Sequence, residues 1–345
     1  MKILVVKGEA GKDIWEDVEL SKFGIKKIVA EKTKQKEEKT ETKSEIRLKL
    51  KNLFHPRYFI FLLKQIPKEK PDIIVVKKPF PTTVLPAILY KIIFRKKFLV
   101  HFDEWEINKP FRPKLGFKNI MLFIFTYVSI VFANGFIVGN KNLKKLIHSN
   151  KPFFYLPNGA IPWIIKPAKI IKPKKKIYCL YIGGSYRKVQ EPMYRAFASM
   201  KNAKLFVAGK VCNELGERKN VVKLGEFEFK DLSKIASKVH VLLATFDYHW
   251  HLQFTSNVKI FDYMCLRKPI IASEIGEIPE YLDHGKAGYL IKPGDMKQLK
   301  RTLKMIKSNY NEALEKAKYA RKLAEEKYDR RLLIKNLLKE LENLK

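Results

Sequence analysis

The chain has 345 residues, of which 46% are hydrophobic, and it carries 70 Lys and Arg against 35 Asp and Glu, for a formal net charge of +35. A chain of this length is usually too long for a single hydrophobic core, so we expect two domains. The hydrophobic content excludes a largely disordered chain. The cysteines Cys179, Cys212 and Cys265 lack the spacing of a metal or redox motif. We expect them to be buried thiols in a reducing compartment.

The excess of positive charge predicts an anionic partner or surface. The sequence contains no zinc-ligand spacing, RNP-like run or helix-turn-helix pattern, so no specific nucleic-acid partner is predicted. Basic residues instead flank apolar segments at 53–64 and 88–97, as is typical of proteins that bind anionic membranes, and we expect Phe59, Phe61 and Leu62 to enter the interface. A lysine-rich proteome is the alternative explanation of the charge.

Short runs rich in Ile and Val alternate with longer helical patterns, which predicts two successive β/α series and therefore two doubly wound parallel sheets. The predicted strands cover 3–6, 73–76, 98–100 and 136–138 in the first series, and 177–182, 205–208, 221–224, 239–244 and 269–272 in the second. The proline-rich segment 161–176 is the predicted linker. Residues 31–45 are almost wholly charged or polar, and we expect a solvated helix end or a flexible excursion there.

An apolar stretch without charged residues runs from Ile120 to Val138 and is long enough to span a bilayer. Asn134 and Gly135 interrupt it, and the residues after them have the pattern of a strand that leads into a helix near Asn140. We therefore predict helix, turn and strand here. The N-terminal residues lack a signal-peptide cleavage pattern, so we expect a cytoplasmic protein that is peripheral on the inner face of the membrane.

The most informative segment covers residues 256–280 and predicts a loop, a helix, a buried strand and a second loop. Ser256 and Asn257 are expected to cap the helix that follows them, whose first N–H groups and positive dipole end are suited to an anion. Lys259 adds a full positive charge at this helix start. Asp262, three residues later on the same helix face, is placed to accept hydrogen bonds from a ribose diol.

This segment resembles the signature of the retaining GT-B glycosyltransferases of family 4, the glycosyl transferases group 1. The matching or nearly matching positions are Lys259, Asp262, Tyr263, Met264, Lys268, Pro269, Ala272, Ser273, Gly276, Pro279 and Glu280. The continuation 283–295 is also similar to the family pattern, and Pro157-Asn158-Gly159 matches the tripeptide that follows the family's first domain.

The resemblance implies an α/β protein of the GT-B fold, with two Rossmann-like domains and an interdomain cleft. Residues 1–165 would form the acceptor-side domain, 166–325 the nucleotide-sugar domain, and 326–345 a helix that crosses back to the first domain. It implies a hexosyltransferase that moves a sugar, with retention of configuration, from a nucleotide-diphosphate donor to a membrane-associated acceptor, lipid-linked or glycan. No metal and no cofactor are expected, because protein cations would take the place of a metal.

Two glycines, Gly183 and Gly184, directly follow a predicted strand, where backbone amides can approach a diphosphate. The resemblance places the diphosphate-binding cation at Lys188, with Arg187 as the second choice. A plain strand-to-helix turn is the alternative interpretation of this segment.

In the first domain, His101 and Asp103 follow a predicted strand and resemble family residues near the transferred sugar, so they are the predicted catalytic residues. A structural histidine at a strand end is the alternative. The segment with Gly8 and Gly11 follows the first strand, and it is as consistent with a plain turn as with a loop near the donor phosphates.

One departure from the family pattern concerns its pair of glutamates. The second glutamate is Asp262 here, and the first is Phe254, whose ring cannot accept a hydrogen bond. The nearby His249 and His251 lack a carboxylate or cysteine at metal-ligand spacing, so we expect them to face the sugar or the acceptor. The departure leaves an alternative function, a catalytically weak GT-B protein that serves as a membrane- or polyanion-binding partner.

Overall fold

The computed structural model describes residues 1–7, 14–15, 18–32, 39–43, 45–50, 56–105, 117–183, 187–210 and 217–344. The chain divides into two compact units. Unit 1 comprises Met1–Pro157, Phe254–Ser256 and Leu333–Lys345, and unit 2 comprises Asn158–Gln253 and Asn257–Leu332. Each unit contains one sheet with helices, as the α/β prediction requires.

Unit 1 is built around a sheet of eight described strands. They are β1 (Ile3–Lys7), β2 (Ile25–Lys32), β3 (Lys39–Glu41), β4 (Glu45–Leu50), β5 (Ile73–Lys77), β6 (Lys97–Phe102), β7 (Gly135–Val138) and β8 (Phe153–Tyr155). Their order is β3-β4-β2-β1-β5-β6-β7-β8, and only the pairing of β3 with β4 is antiparallel. The four predicted strands of this series are present, and they are buried because their Ile and Val runs are covered on both faces.

The charged segment 31–45 is neither a helix end nor a flexible excursion in its described part. β2 extends into it, β3 lies within it, and β4 begins at Glu45. Lys26 Nζ lies 3.0 Å from Glu41 Oε1, and Lys27 Nζ lies 3.2 Å from Glu45 Oε2. Because opposite charges pair across the strands, a highly charged sequence is compatible with the edge of a sheet, and the prediction for this segment was wrong.

The described helices of unit 1 are α1 (Pro56–Glu69), α2 (Pro81–Phe94), α3 (Phe117–Phe132) and α4 (Lys144–Ile147), and the final helix of the chain is α11 (Arg330–Glu342). α1 packs against α2, and α2 packs against α3. On α1, Leu62 is fully buried, and Phe59 and Phe61 are half-buried. The expectation that Leu62 enters a membrane interface is therefore wrong, because its side chain belongs to the core.

The stretch from Ile120 to Val138 forms a helix, a turn and a strand, as predicted: α3 ends at Phe132 and β7 begins at Gly135. Asn134 Oδ1 accepts a hydrogen bond from the N–H of Phe98 at 3.1 Å. A Cβ at Gly135 would lie 2.9 Å from the carbonyl oxygen of Pro152, so a glycine is required there. Within the described residues, no helix combines the length and the apolar character needed to cross a bilayer.

One face of the unit 1 sheet is covered by an apolar core that includes residues of α11. Trp15 and three residues of α11 lie in one cluster with alternate residues of β1, β5, β6 and β7; the α11 residues are Ile334, Leu337 and Leu341. Alternate strand residues share a face, so this cluster occupies one side of the sheet. Lys97 Nζ also donates a hydrogen bond to the carbonyl oxygen of Leu344. The C-terminal residues are thus part of the fold of unit 1.

Unit 2 contains a six-stranded, fully parallel sheet in its described residues. The strands are β9 (Ile177–Ile182), β10 (Ala203–Ala208), β11 (Val221–Gly225), β12 (Val241–Ala244), β13 (Ile270–Ser273) and β14 (Tyr289–Ile291), in the order β11-β10-β9-β12-β13-β14. The chain proceeds from β9 to one side and later returns to β12 on the other side. The topological switch point of this doubly wound sheet therefore lies between β9 and β12.

The helices of unit 2 are α5 (Arg187–Ala198), α6 (Leu232–Ala236), α7 (Val258–Cys265), α8 (Ile278–Tyr281), α9 (Met296–Ser308) and α10 (Tyr310–Glu326). Short 3-10 helices among the described residues are Leu20–Phe23, Lys141–Leu143, Phe229–Asp231, Trp250–Phe254 and Asp283–Gly285. Cys179 and Cys265 are buried free thiols whose pKa burial raises, and Cys212 lies outside the described residues.

The predicted linker 161–176 has no helix or strand, but much of it is packed. Ile161, Ile165 and Ala168 are buried in the core of unit 2. The N–H of Ala168 donates a hydrogen bond to the carbonyl oxygen of Leu266 at 2.9 Å. This segment is therefore an ordered part of unit 2, since its apolar residues are covered by the rest of that unit.

We expect Ile334→Ala to lower the free energy of unfolding by about 2–4 kcal/mol, because it leaves a cavity beneath α11 in the core of unit 1. Leu338→Ala is the matched control, since Leu338 is only partly buried on the same helix, and it should cost less. Urea denaturation of the two variants measures the difference. Equal losses would contradict the packing of α11 described above.

Candidate functional site

The carboxyl ends of the parallel strands of unit 2 form one edge of the sheet, and in doubly wound sheets ligands bind at this edge. Gly183 directly follows β9, Gly209 follows β10, and Phe246 lies two residues after β12. α7 follows β12 in the chain and precedes β13, so its first turn lies at the same edge. Lys259 is the second residue of that helix.

The ammonium group of Lys259 lies over two aromatic rings. Its Nζ is 3.9 Å from the centre of the Tyr181 ring, in β9, and 5.0 Å from the centre of the Phe246 ring. The π-electrons of both rings attract the positively charged ammonium group. Loss of hydration in this environment lowers the pKa of Lys259 to about 7, and the nearby charge of Asp262 opposes the shift. Lys259 is thus a half-buried basic group beside two aromatic rings at the switch point.

Asp262 lies one helical turn after Lys259 and is half-buried. Its charge acts on Lys259 and on Tyr263, so it is close to both. A carboxylate offers only acceptors, and it can therefore bind a diol or a second cation. The i,i+3 relation predicted from the sequence is present, because both residues lie within α7.

Tyr263 connects α7 to the end of β9. Its buried hydroxyl accepts a hydrogen bond from the N–H of Ile182 at 3.0 Å, directly before Gly183. The side chain is fully buried, and this burial raises its pKa well above the ordinary value. The hydrogen bond fixes the start of the β9–α5 connection relative to α7.

Two glycines allow the turns after β9 and β10 to approach each other. Gly209 has φ +100°, in the region that favours glycine, and a Cβ there would clash with the carbonyl oxygen of Gly183. A Cβ at Gly183 would lie 2.6 Å from the Tyr181 ring. The ring of Tyr181 therefore contacts both the Gly183 turn and the Lys259 ammonium group, which brings these predicted residues together.

Phe246 is held by a serine of the signature. The N–H of Phe246 donates to Ser273 Oγ at 2.8 Å, and the Ser273 hydroxyl donates back to the Phe246 carbonyl oxygen at 2.9 Å. A further bond joins the Gly294 N–H to that carbonyl oxygen at 3.0 Å. These bonds fix the backbone of Phe246, whose ring lies against Lys259.

Asn257 occupies the N-cap position of α7, but its side chain makes no capping hydrogen bond within the described residues. The helix starts where the sequence predicted, while the predicted side-chain cap is absent. Ser256 belongs to unit 1, is buried, and donates its N–H to the carbonyl oxygen of Asp103 at 3.3 Å. Ser256 therefore precedes the cap and is not itself the cap.

Several predicted site residues fall outside the described part of the chain. They are Gly8, Gly11, Gly184 and the side chains of Arg187 and Lys188. The backbone of α5 begins at Arg187, so both cationic residues lie in the first turn of the helix after β9.

In unit 1, three polar residues lie side by side at the carboxyl ends of adjacent strands. Lys7 of β1 is in register with Lys77 of β5, which is in register with His101 of β6, so the three side chains share one face of the sheet. All three are buried. Lys77 Nζ lies 2.8 Å from Asp103 Oδ2. The predicted residues His101 and Asp103 are thus part of a buried polar group.

His101 is oriented by Trp15. The indole Nε1–H of Trp15 donates to His101 Nδ1 at 2.9 Å, and the two rings meet edge to face. Because Nδ1 accepts this bond, a neutral His101 carries its proton on Nε2. Trp15, Lys7 and Lys77 were not among the predicted site residues, because their proximity to His101 depends on contacts between distant parts of the chain.

The remaining signature residues fix local geometry. Lys268 Nζ donates to the carbonyl oxygen of Val239 at 2.6 Å, at the opposite edge of the sheet. Gly276 has φ +59°, and a Cβ there would lie 2.7 Å from the carbonyl oxygen of Leu252. Asp295 caps α9 by accepting from the N–H of Gln298 at 2.8 Å. These residues therefore fix the local backbone of unit 2.

His249 and His251 lie near each other in the segment before α7, with ring centres 6.4 Å apart, and His251 is buried. In the described ranges, no three His, Cys, Asp or Glu side chains are grouped as metal ligands would be. Phe254 ends the adjacent 3-10 helix and groups with unit 1. The position at which the family pattern has its first glutamate is therefore occupied by a phenylalanine, which has no carboxylate.

The sequence of unit 2 matches a known family. Residues 176–309 match the family model described as Glycosyl transferases group 1. No curated protein matches the chain. The recognition made from the signature is confirmed by this family match, which includes the signature segment and all strands of unit 2.

The chain is similar, over nearly its whole length, to several solved structures. Sucrose-phosphate synthase from Thermosynechococcus elongatus has a TM-score of 0.75 at 14% identity, covering 100% of this chain and 99% of its own. HepE from Anabaena, in complex with UDP and glucose, has a TM-score of 0.71 at 14% identity, covering 99% and 100%. A glycosyltransferase from Rickettsia africae has a TM-score of 0.70 at 13% identity, covering 100% and 99%. The predicted GT-B fold is confirmed.

We expect Tyr263→Phe to lower the free energy of unfolding by about 1–2 kcal/mol, because the buried N–H of Ile182 loses its acceptor. Tyr310→Phe is a matched control: its buried hydroxyl donates to the His240 carbonyl oxygen at 2.9 Å, at the other edge of the same sheet. Only Tyr263→Phe should also weaken binding of a nucleoside diphosphate, measured by calorimetry. Equal effects of the two variants on binding would show that Tyr263 has no positioning role.

Proposed function

We propose that this group 1 glycosyltransferase transfers a sugar, with retention of anomeric configuration, from a nucleotide-diphosphate donor to a membrane-associated acceptor, lipid-linked or glycan. The observation that carries the proposal is the position of the Lys259 ammonium group, in the first turn of α7 and over the rings of Tyr181 and Phe246. A partly dehydrated cation at the switch point of a doubly wound sheet suits an anionic ligand such as a diphosphate.

The chemistry assigned to Lys259 is stabilisation of the leaving diphosphate. Bond cleavage between the sugar and the diphosphate leaves negative charge on the leaving oxygen, and a positioned cation lowers the energy of that state. Poor hydration strengthens the interaction, since less water competes for the charges. Lys188, at the start of α5, is proposed as the second cation.

Asp262 is proposed to bind the ribose of the donor. Its carboxylate can accept hydrogen bonds from two neighbouring hydroxyl groups, and it lies one turn after Lys259. HepE has been solved with UDP-glucose, so UDP-sugars are the first donors to examine. A thermal-shift panel of UDP, GDP, ADP and their sugars identifies the base, because only a bound ligand raises stability.

His101 and Asp103 are proposed as the residues of unit 1 that act near the transferred sugar. The hydrogen bond from Trp15 Nε1–H to His101 Nδ1, at 2.9 Å, fixes the orientation of the imidazole ring. Asp103 is held by Lys77, whose Nζ lies 2.8 Å from Asp103 Oδ2. Phe254 offers no acceptor, so any contact with the sugar at that position must be apolar. A sugar-transfer assay distinguishes this proposal from the catalytically weak alternative.

Binding of a nucleotide sugar should weaken as pH rises, because the pKa of Lys259 is lowered to about 7. The charged fraction of the free protein falls by about tenfold between pH 6 and pH 8, and affinity should fall by a similar factor. A nucleotide sugar is the appropriate probe, since its diphosphate does not titrate in this range. Calorimetry over this pH range measures the effect.

Lys259→Arg is the control for this pH dependence, because arginine stays protonated throughout. It should bind with a flatter pH profile, while Lys259→Ala should bind weakly at every pH. Neither variant should unfold the protein, since Lys259 is half-buried at a helix start. A wild-type pH profile in Lys259→Arg would show that another group is responsible.

Asp262→Asn should bind ribonucleotides more weakly, by about 1–3 kcal/mol, because a neutral amide is a weaker partner for the diol than a carboxylate. Replacing ribose by 2′-deoxyribose should reduce the affinity of the wild type and have much less effect on the variant. Asp283→Asn, in the same unit, is the control and should behave like the wild type. Equal sensitivity to deoxyribose in wild type and Asp262→Asn would remove Asp262 from the ribose role.

A further inference from the structure

An exposed apolar surface lies on two neighbouring helices of unit 1, and we call it the α2–α3 face. Its members are Leu85, Leu89, Ile92 and Ile93 on α2, and Ile120, Ile124, Tyr127 and Val131 on α3. The most exposed are Val131, Ile93 and Ile92, at 68%, 67% and 63%. A cluster of large apolar residues that are this exposed to solvent is typical of a surface that binds a protein or a membrane.

The two helices are apolar on both sides. The α3 members of the face follow the spacing i, i+4, i+7 and i+11, which forms a stripe along the helix, and Phe132 at its end is also exposed. The other side of each helix is buried, for example Val84 and Ala87 of α2. A helix that is apolar all round is typical of a fully covered environment, yet here one side is exposed. The stripe is therefore available to a partner.

The last turns of α2 and α3 are adjacent. Lys91 Nζ, on α2, donates a hydrogen bond to the carbonyl oxygen of Phe132, the last residue of α3, at 2.6 Å. Lys151 Nζ donates to the carbonyl oxygen of Ile130 at 2.9 Å. The three most exposed residues of the face, Val131, Ile93 and Ile92, lie in these same turns. The α2–α3 face is therefore continuous at the carboxyl ends of the two helices.

Basic residues border this end of the face. Lys91 and Lys151 meet at the end of α3, and Arg95, directly after α2, is exposed. Loss of hydration lowers the pKa of Lys91 and of Lys151, and the charge of Lys91 adds to the effect on Lys151. Neither α2 nor α3 contains an Asp or Glu. The border is thus cationic around an apolar centre.

The charge selects among possible occupants. A second copy of the chain on the same face would bring two basic borders together, and each copy carries a formal net charge of +35. Like charges facing each other across an interface are unfavourable. An anionic bilayer instead offers negative head groups to the basic border and acyl chains to the apolar centre.

We propose that the α2–α3 face docks this protein on an anionic lipid bilayer. Ile92, Ile93 and Val131 enter the boundary between head groups and acyl chains, and Lys91, Lys151 and Arg95 meet head-group phosphates. The docking would bring unit 1 to a membrane-associated acceptor. In that respect it rests on the proposed function. Its physical basis lies in unit 1 alone and is measurable without a donor or an acceptor.

The test is flotation of the full chain with vesicles of phosphatidylcholine, with or without phosphatidylglycerol. We expect binding to the anionic vesicles that falls as salt rises above physiological strength. Ile92→Glu and Val131→Glu should each reduce the partition coefficient by about tenfold or more. Ile92→Gln adds no charge and should still reduce binding. Met305→Glu, on α9 of unit 2 at 50% exposure, is the matched control and should float like the wild type.

Three results would overturn the docking proposal. The first is that Ile92→Glu and Val131→Glu bind vesicles as well as the wild type does. The second is that the wild type binds neutral vesicles equally well at high salt. The third is that the protein does not float but forms a dimer, seen by sedimentation, that the same variants abolish. Nucleotide-sugar binding in solution, measured on the same preparations, keeps the two proposals separate. Vesicle binding without nucleotide-sugar binding would reject the proposed function and support the docking, and the reverse would reject only the docking.

Discussion

The candidate site depends on one interaction, the contact of the Lys259 ammonium group with the rings of Tyr181 and Phe246. These three residues come from α7, from β9 and from the segment after β12, so they meet only because β9 and β12 are neighbours in the sheet. The crossover that places β12 beside β9 also creates the switch point. The same topology therefore dehydrates the cation, lowers its pKa, and opens the sheet edge to a ligand.

The signature residues divide into two classes by what they contact. Tyr263 and Ser273 make hydrogen bonds to the backbone of Ile182 and Phe246, and these bonds fix the two segments that carry the aromatic rings. Lys259 and Asp262 are the residues of the signature that we propose for ligand contact. The hydrogen bonds of Tyr263 and Ser273 thus hold the segments of both rings in place beside Lys259.

The sequence predicted the central strands and the start of α7, because long apolar runs and a polar helix start are local signals. It did not predict β2 to β4, whose lysines and acids pair across strands at the sheet edge, since that pairing is not visible in one segment. The ring of Tyr181 was also missed, because an aromatic residue in an apolar run is typical of a core residue. Lys7 and Lys77 were missed as well, because only the register between distant strands places them beside the predicted His101. Local signals were thus reliable for elements, and non-local contacts decided the sites.

The apolar helices of unit 1 show why sequence alone leaves membrane association open. α3 has the composition of a membrane-spanning segment, but Gly135 and the close approach of Pro152 turn the chain into β7 directly after it. The helix is thereby tied to the sheet on one side, and its other side keeps the exposed stripe. A helix that spans a bilayer is surrounded by apolar groups on all sides, whereas a helix that docks on a bilayer meets the acyl chains on one side only. The strand that follows α3 therefore favours a surface contact, because β7 pairs with β6 and β8 within the sheet of unit 1.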